Sequence, residues 1–224
     1  MFKRKKPLII SLLLLFVISG IVSLPVIYSV SSGLSRTSRV EANVLLVEGW
    51  LPPYAVELAY DEYIKSSYEQ VITTGIRISG SDEVSINDYP EFFTHEGKKK
   101  LTDNYSSHAE LARKKLISLG LDSSLVLAVP GKKVRLNRTL SSALAFRDWL
   151  ETSEIEVDGI NIVTIGTHAR RTWMTYNKIL DKKYQIGIIS LPDYREHSSK
   201  KYKVLKTLRE SLGLVYYWFL LLPY

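Results

Sequence analysis

An uncharged apolar run at residues 8–30, preceded by a basic cluster at residues 3–6, constrains this chain more than any other feature. As a helix the run reaches roughly 35 Å, which exceeds the ~30 Å hydrocarbon core of a bilayer. A cleaved signal normally has about 7 to 15 apolar residues, so this length favours an uncleaved single-pass anchor, although small residues at 31–33 offer a cleavage point. The basic cluster predicts a cytoplasmic N-terminus and an extracytoplasmic domain, which is periplasmic in a Gram-negative cell.

The net charge of +7 belongs to this N-terminal segment. Six of the 30 basic residues lie in the first 40, which contain no acidic residue, so 24 basic residues face 23 acidic ones in the rest. The excess is typical of membrane topology, and no nucleic-acid partner is predicted. The absence of cysteine excludes thiol catalysis, zinc–thiolate sites and iron–sulfur clusters. We predict no cofactor and no metal.

One α/β domain is predicted over residues 41–224, after an anchor at 1–30 and a linker at 31–40. Apolar, β-branched runs alternate with helical patterns along this domain. The alternation predicts a Rossmann-like, doubly wound, mainly parallel five-stranded sheet with helices on both faces. The predicted strands are 43–47, 71–74, 125–129, 160–165 and 185–191.

Two segments depart from this alternation. Residues 76–104 are rich in Gly, Ser and Asp without helical or strand period, which predicts an insertion or lid. Residues 213–222 are apolar all round but have only about half the length of a membrane span. They are predicted to form a buried terminal helix packed on the sheet, and the alternative is an aromatic-rich helix that rests on the membrane.

Ligands of an open parallel sheet bind beyond the carboxyl ends of its strands. Of the four stretches at such ends, the one after the fourth strand is the richest. Gly166 and Thr167 begin a helix, where free backbone N–H groups attract anions, and His168 and Arg171 have the i, i+3 spacing that places both on one side. These features predict an anion site. The alternatives are a structural histidine and an arginine paired with surface acids.

The other strand ends are more ambiguous. Asn137 and Thr139 have three interpretations. They are part of an N-glycosylation sequon, or Asn137 belongs to a turn and Thr139 is a helix N-cap, or both side chains face the ligand. Glu48 is a general base or a cap for the following helix. No G-x-G-x-x-G motif, Walker loop, H-E-x-x-H or G-x-S-x-G is present, so the familiar dinucleotide, nucleotide, zincin and esterase chemistries lose support.

Short motifs follow one another in a familiar order: Thr74-Gly75, then Glu110 on a helix, then Asn137-x-Thr139, and finally a strand with Thr164 followed by His168-x-x-Arg171. Over about residues 44–210 the chain resembles the YdcF/SanA/ElyC-like family of envelope proteins. The resemblance implies a Rossmann-like domain in cell-envelope biogenesis, with seven residues at its site: Gly75, Glu110, Asn137, Thr139, Thr164, His168 and Arg171. Two features depart from the family: the first strand ends in Glu48-Gly49-Trp50 rather than a Gly-rich turn, and the insertion is longer.

Together these observations predict a membrane-anchored protein that binds or acts on an anionic, phosphate-bearing glycan or lipid-linked intermediate. His168 and Arg171 would neutralise the anion, and Asn137 and Thr139 would orient it. The alternative is a non-catalytic ligand-binding or scaffolding protein at the membrane. A nucleoside-cofactor enzyme such as a methyltransferase is a third candidate, without a glycine fingerprint to support it.

The sequence leaves open whether the protein is an enzyme. If it is one, the candidate bases are the carboxylates of Glu48 and Glu110. The other predicted ligand-binding residues all lie at or near strand ends: Gly49, Gly75, Thr164, Gly166 and Thr167.

Overall fold

A computed structural model describes residues 25–78, 106–180 and 182–224. It contains five strands: β1 (Val44–Glu48), β2 (Gln70–Ile76), β3 (Val126–Gly131), β4 (Gly159–Ile165) and β5 (Gln185–Leu191). They form a single sheet in the order β3-β2-β1-β4-β5, in which every neighbouring pair is parallel. The predicted α/β class and five-stranded sheet are therefore confirmed.

The central strand β1 is buried over its whole length. Because successive side chains of a strand point to opposite faces, Val44 and Leu46 pack in one hydrophobic cluster, whereas Leu45 and Val47 pack in another. A strand covered on both faces needs apolar residues at every position, and the sequence Val-Leu-Leu-Val provides them. The strand ends in Glu48, which is also buried.

Helices cover both faces of the sheet. The helices are α1 (25–34), α2 (Pro53–Ile64), α3 (His108–Ser118), α4 (Arg138–Thr152), α5 (Ala169–Ile179), α6 (Tyr194–Ser198) and α7 (Lys200–Leu220). Residues of α2 and α3 contribute to one hydrophobic cluster, and residues of α4, α5 and α7 contribute to the other. The strand order is compatible with a Rossmann-like sheet, in which the chain leaves β1 in both directions and opens a crevice at the carboxyl ends of β1 and β4.

Several boundaries differ from the predicted ones. Gly75 lies inside β2 rather than after it, because the strand continues to Ile76 beside β3. A short 3-10 turn, Gly166–His168, separates β4 from α5. The five-residue helix α6 was not predicted, since a single turn is too short for a helical period to be recognised.

The predicted anchor and insertion fall largely outside the described residues. Residues 8–24 of the anchor and residues 79–104 of the insertion are not among them. Within the described ranges, no helix combines the length and apolar character that crossing a membrane requires. The predicted linker 31–40 begins in the last turn of α1 and then follows β5, where the backbones of Ser38 and Ile188 are hydrogen-bonded.

The last helix, α7, has two apolar faces. Tyr217 and Leu221 are buried in the cluster formed with α4 and α5, so the predicted burial of the terminal segment holds on this side only. Large side chains on the opposite face, such as Leu212 and Phe219, are exposed. The helix therefore packs on the domain along one side and presents apolar surface along the other.

Candidate functional site

A cavity of about 570 Å³ opens at the carboxyl ends of β1 and β2. Its floor includes Glu48 and Thr74, the residues that end the paired part of these strands. The start of α4 and one side of α7 form its walls, with His168 and Arg171 of the α5 region between them. The crevice that a parallel sheet opens beyond its strands is thus the place where the predicted polar residues gather.

Glu48 is a buried carboxylate, with 2% of its surface exposed. Its oxygens lie 3.5 and 3.4 Å from the hydroxyl of Thr172, and Oε2 lies 3.7 Å from Nε2 of His168. A carboxylate taken out of water is costly unless hydrogen bonds or opposite charges compensate it, and these long contacts compensate it only in part. Glu48 therefore remains available to a ligand group with a hydrogen to donate.

His168 and Arg171 contact each other, as their spacing predicts. Nη2 of Arg171 lies 2.8 Å from Nδ1 of His168. A guanidinium group can only donate, so Nδ1 is the acceptor and the ring proton lies on Nε2. That Nε2 is buried and has no hydrogen-bond partner among the described residues. His168 lines the cavity, and the nearest carboxylate oxygen to its Nε2–H is Oε2 of Glu48 at 3.7 Å.

Glu210 of α7 holds this pair from the other side. Its Oε2 accepts a hydrogen bond from Nε of Arg171 at 2.9 Å and lies 3.3 Å from Nδ1 of His168. The histidine contact would need a proton on Nδ1, but the shorter bond from Arg171 already uses that nitrogen as an acceptor. Burial raises the pKa of Glu210, but the His168 ring, when it carries a proton on Nδ1, and Arg171 outweigh burial and lower the pKa to about 2. Glu210 is therefore a carboxylate at neutral pH.

Positive charge dominates the cavity. The cavity is lined by two carboxylates, those of Glu48 and Glu210, and by six cationic side chains. The cationic residues are Arg135, Arg138, Arg171, Arg195, Lys206 and Arg209. The buried Asp193 forms ion pairs with Arg195 and Lys206. In the part of the chain that the structure describes, Arg135, Arg138 and Arg209 form no ion pair with an acidic side chain. A concave wall of this charge attracts anions.

The predicted anion site at Gly166 and Thr167 has a different arrangement. Oε1 of Glu196, from α6, accepts a hydrogen bond from the Thr167 hydroxyl at 3.1 Å. Gly166 has a φ of 51°, and a Cβ there would lie 2.7 Å from the same oxygen. A carboxylate of the chain itself thus occupies the anion position at this turn, and neither residue lines the cavity.

Three further predicted residues line the cavity, namely Gly75, Asn137 and Thr139. Asn137 precedes α4 in a left-handed conformation and makes no side-chain cap. Gly75 is required by packing, because a Cβ there would lie 2.7 Å from Cβ of His108 at the start of α3. Gly49 does not line the cavity. A Cβ added at Gly49 would collide with the backbone of His108. The two glycines let α3 approach the strand ends.

Two more predicted residues, Glu110 and Thr164, do not line the cavity. Glu110 lies in the first turn of α3, where Oε2 accepts a hydrogen bond from the Ser106 hydroxyl at 2.9 Å. Its own N–H donates to the hydroxyl of Ser107, which makes it part of the helix cap. Thr164 is fully buried inside β4, and its hydroxyl has no partner among the described residues. The structure therefore brings Glu48, His168 and Arg171 together and leaves Glu110 apart.

Sequence reasoning missed the contribution of α7. Glu210, Tyr217 and Arg209 all line the cavity from this helix, and the guanidinium carbon of Arg171 lies 4.9 Å from the Tyr217 ring centroid. One signal was available. Glu210 shares a helical face with Tyr217 and Leu221, and a carboxylate on a buried apolar face needs a cationic partner.

Trp50 completes the cluster, with its ring edge-on to that of His168 at a centroid separation of 5.0 Å. In the described ranges no group of three or more histidine or carboxylate side chains is placed to hold a metal ion. Comparison of the sequence with models of known protein families and with characterised proteins finds no match. The functional assignment therefore depends on the geometry of the cavity.

Proposed function

We propose that this protein is a membrane-anchored cell-envelope protein, as the family resemblance implies, and that its cavity binds and acts on a phosphate-bearing glycan or lipid-linked intermediate. The observation that carries the proposal is a buried Nε2 without a hydrogen-bond partner among the described residues, on a histidine, His168, that lines a cavity with six cationic side chains. A buried N–H without a partner is unfavourable, and an anionic oxygen is the acceptor that this charge distribution favours.

Arg135, Arg138 and Arg209 support the assignment of a multiply charged ligand. Guanidinium groups bind phosphate oxygens in pairs, and these three have no competing carboxylate in the described part of the chain. These three arginines are exposed, whereas His168 and Glu48, which line the same cavity, are buried. A phosphate or pyrophosphate would lie between the arginines and His168, with the glycan or lipid portion toward the opening.

The same cluster supports proton transfer. In the neutral ring the Nε2–H of His168 can donate a hydrogen bond that stabilises charge on a ligand oxygen, and Glu48, 3.7 Å from that nitrogen, can accept a proton from an attacking hydroxyl. Arg171 and Glu210 fix the ring on its Nδ1 side. Under this proposal, His168 and Glu48 are the catalytic residues and Glu210 is a positioning residue.

A non-catalytic ligand-binding protein is the second candidate. The ring of His168 is held by Arg171, Glu210 and Trp50, and such a rigid arrangement also suits a receptor that binds an anion without changing it. The two candidates share the ligand and differ in turnover.

The test uses the full chain in detergent micelles, with pyrophosphate and dodecyl phosphate as probes and calorimetry as the measurement. We expect both probes to bind, and Arg209→Ala to weaken binding by roughly 10-fold or more, as for loss of one charge-assisted contact. Arg147→Ala is the control, because Arg147 is a partly exposed arginine of α4 that pairs with Asp148 and does not line the cavity. Absence of binding, or equal effects of the two substitutions, would contradict the proposal.

Release of inorganic phosphate from dodecyl phosphate or dodecyl pyrophosphate separates the candidates. Turnover that is lost in Glu48→Gln while the probe still binds supports the enzyme. Tight binding without turnover of either probe favours the non-catalytic protein.

A further inference from the structure

The outer face of α7 is apolar from Leu205 to the end of the helix. Leu212 is 73% exposed and Phe219 is 59% exposed. At about 100° per residue, seven exposed side chains fall within an arc of roughly 120°. We call them the outer stripe of α7: Leu205, Leu208, Leu212, Val215, Tyr216, Phe219 and Leu222.

The outer stripe lies opposite the face that packs on the domain. Thr207, Glu210 and Tyr217 are buried on the inner face, half a helical turn away from Leu212 and Phe219. From Leu205 to Phe219 the stripe extends over about 21 Å. It is therefore a continuous apolar surface rather than a single exposed side chain. Soluble domains rarely expose an apolar surface of this extent unless something covers it.

Helix α1 lies near the start of α7, where it contacts Lys203 rather than the outer stripe. Val26, Tyr28 and Val30 are also exposed, and Nζ of Lys203 lies 4.5 Å from the centroid of the Tyr28 ring. The end of the apolar run that the sequence predicts to be a membrane anchor therefore lies beside α7. A bilayer that holds the anchor is the nearest large apolar phase available to the stripe.

The distribution of polar and aromatic residues fits a bilayer interface. Lys200 and Lys201 are exposed at the start of α7, and the one carboxylate of the helix, Glu210, is turned into the domain. Lysines beside an apolar stripe suit anionic headgroups, and Tyr216 and Trp218 are of the type enriched at membrane–water boundaries.

We infer that the outer stripe of α7 docks on the surface of an anionic lipid bilayer, with the helix lying in the interfacial plane. The inner side of the same helix contributes Lys206, Arg209 and Glu210 to the cavity wall. Docking would place this wall within one helix diameter of the headgroups. The inference does not rest on the proposed ligand, because it follows from the stripe and the neighbouring α1.

The absence of cysteine allows a direct test with single nitroxide labels in the full chain. Leu212→Cys and Phe219→Cys are labelled in vesicles of phosphatidylcholine and phosphatidylglycerol, and collisions with oxygen and with a water-soluble nickel complex are measured. The control is Ile64→Cys, because Ile64 is 61% exposed at the end of α2, on the other face of the sheet. We expect both α7 labels to lose nickel accessibility and keep oxygen accessibility, whereas the control keeps nickel accessibility.

Two other outcomes would overturn the inference. Labels at 212 and 219 as accessible to nickel as the control would mean that the stripe faces water. Labels shielded from both reagents would mean that protein covers the stripe, either residues 8–24 or a second copy of the chain. If either variant fails to fold, as judged by circular dichroism, Leu208→Cys reports on the same stripe. As a further check, Leu212→Glu combined with Leu208→Cys should restore nickel accessibility at position 208.

Discussion

The contact between Arg171 and His168 determines which ring nitrogen of His168 carries the proton. The 2.8 Å contact from Nη2 of Arg171 to Nδ1 leaves the ring proton on Nε2, and the nearest carboxylate oxygen to that nitrogen is Oε2 of Glu48 at 3.7 Å. Glu210 accepts from the same arginine at 2.9 Å, so the orientation of the ring depends on an acid from the last helix of the domain. The cluster therefore joins the ends of β1 and β4 to α7, and each member can be tested separately.

His168→Asn and His168→Gln distinguish the two ring nitrogens. The asparagine amide lies where Nδ1 lies and retains a partner for Arg171, whereas the glutamine amide reaches the position of Nε2. We expect His168→Asn to weaken binding of pyrophosphate by roughly 10- to 150-fold, and His168→Gln to weaken it less. Calorimetry provides the comparison. Equal affinities of the two variants would mean that Nε2 does not contact the ligand.

Glu210→Gln should change how stability depends on pH. The folded-state pKa of about 2 lies below the ordinary value of 4.5, so the carboxylate contributes stability above pH 4.5 that disappears as the pH falls toward 2. The shift corresponds to about 3 kcal/mol. We expect the variant to have a lower free energy of unfolding at pH 7, with the difference from the original chain shrinking between pH 4.5 and 2. Urea titrations in micelles at several pH values measure it, and a difference that is constant with pH would contradict the assigned role.

Gly75→Ala should disturb the packing of α3 on the sheet. The added Cβ would lie 2.7 Å from Cβ of His108 and 2.9 Å from the backbone nitrogen of Ala109, so the start of α3 must move. We expect a loss of about 1 to 3 kcal/mol in the free energy of unfolding. Gly33→Ala is the control, because nothing lies within 4 Å of a Cβ in that helical position. There the change should stabilise the protein by about 0.5 to 1 kcal/mol.

The sheet was predictable because each strand carries its own signal. β1 begins with four consecutive apolar residues and β4 is rich in Ile and Val, and such strands separated by helical patterns are typical of a parallel sheet. The same alternation indicated which ends of the strands would meet, and it therefore led to Glu48, His168 and Arg171. Their proximity follows from local sequence position together with one topological rule.

The contribution of α7 was not predictable in the same way. Glu210 is 39 residues from Arg171 along the chain, and nothing local to either residue specifies the packing of α7 against α5. Glu196 was missed for a similar reason, since it reaches Thr167 from 29 residues away on a helix of one turn. A helix start that looks like an open anion site in the sequence can thus be occupied by a carboxylate from a distant segment.

The role of Glu196 leads to a prediction with a rescue. Glu196→Ala removes the carboxylate that accepts from the Thr167 hydroxyl at 3.1 Å, and it leaves the turn before α5 without its negative partner. We expect a loss of about 1 to 2 kcal/mol in stability, which inorganic phosphate should partly restore by binding at the vacated position. Glu196→Gln keeps an acceptor oxygen, so its stability should be closer to that of the original chain than the stability of Glu196→Ala is. The midpoint of thermal unfolding, measured with and without phosphate, provides the test. Phosphate that raises the midpoints of Glu196→Ala and the original chain equally would mean that Glu196 does not occupy an anion position.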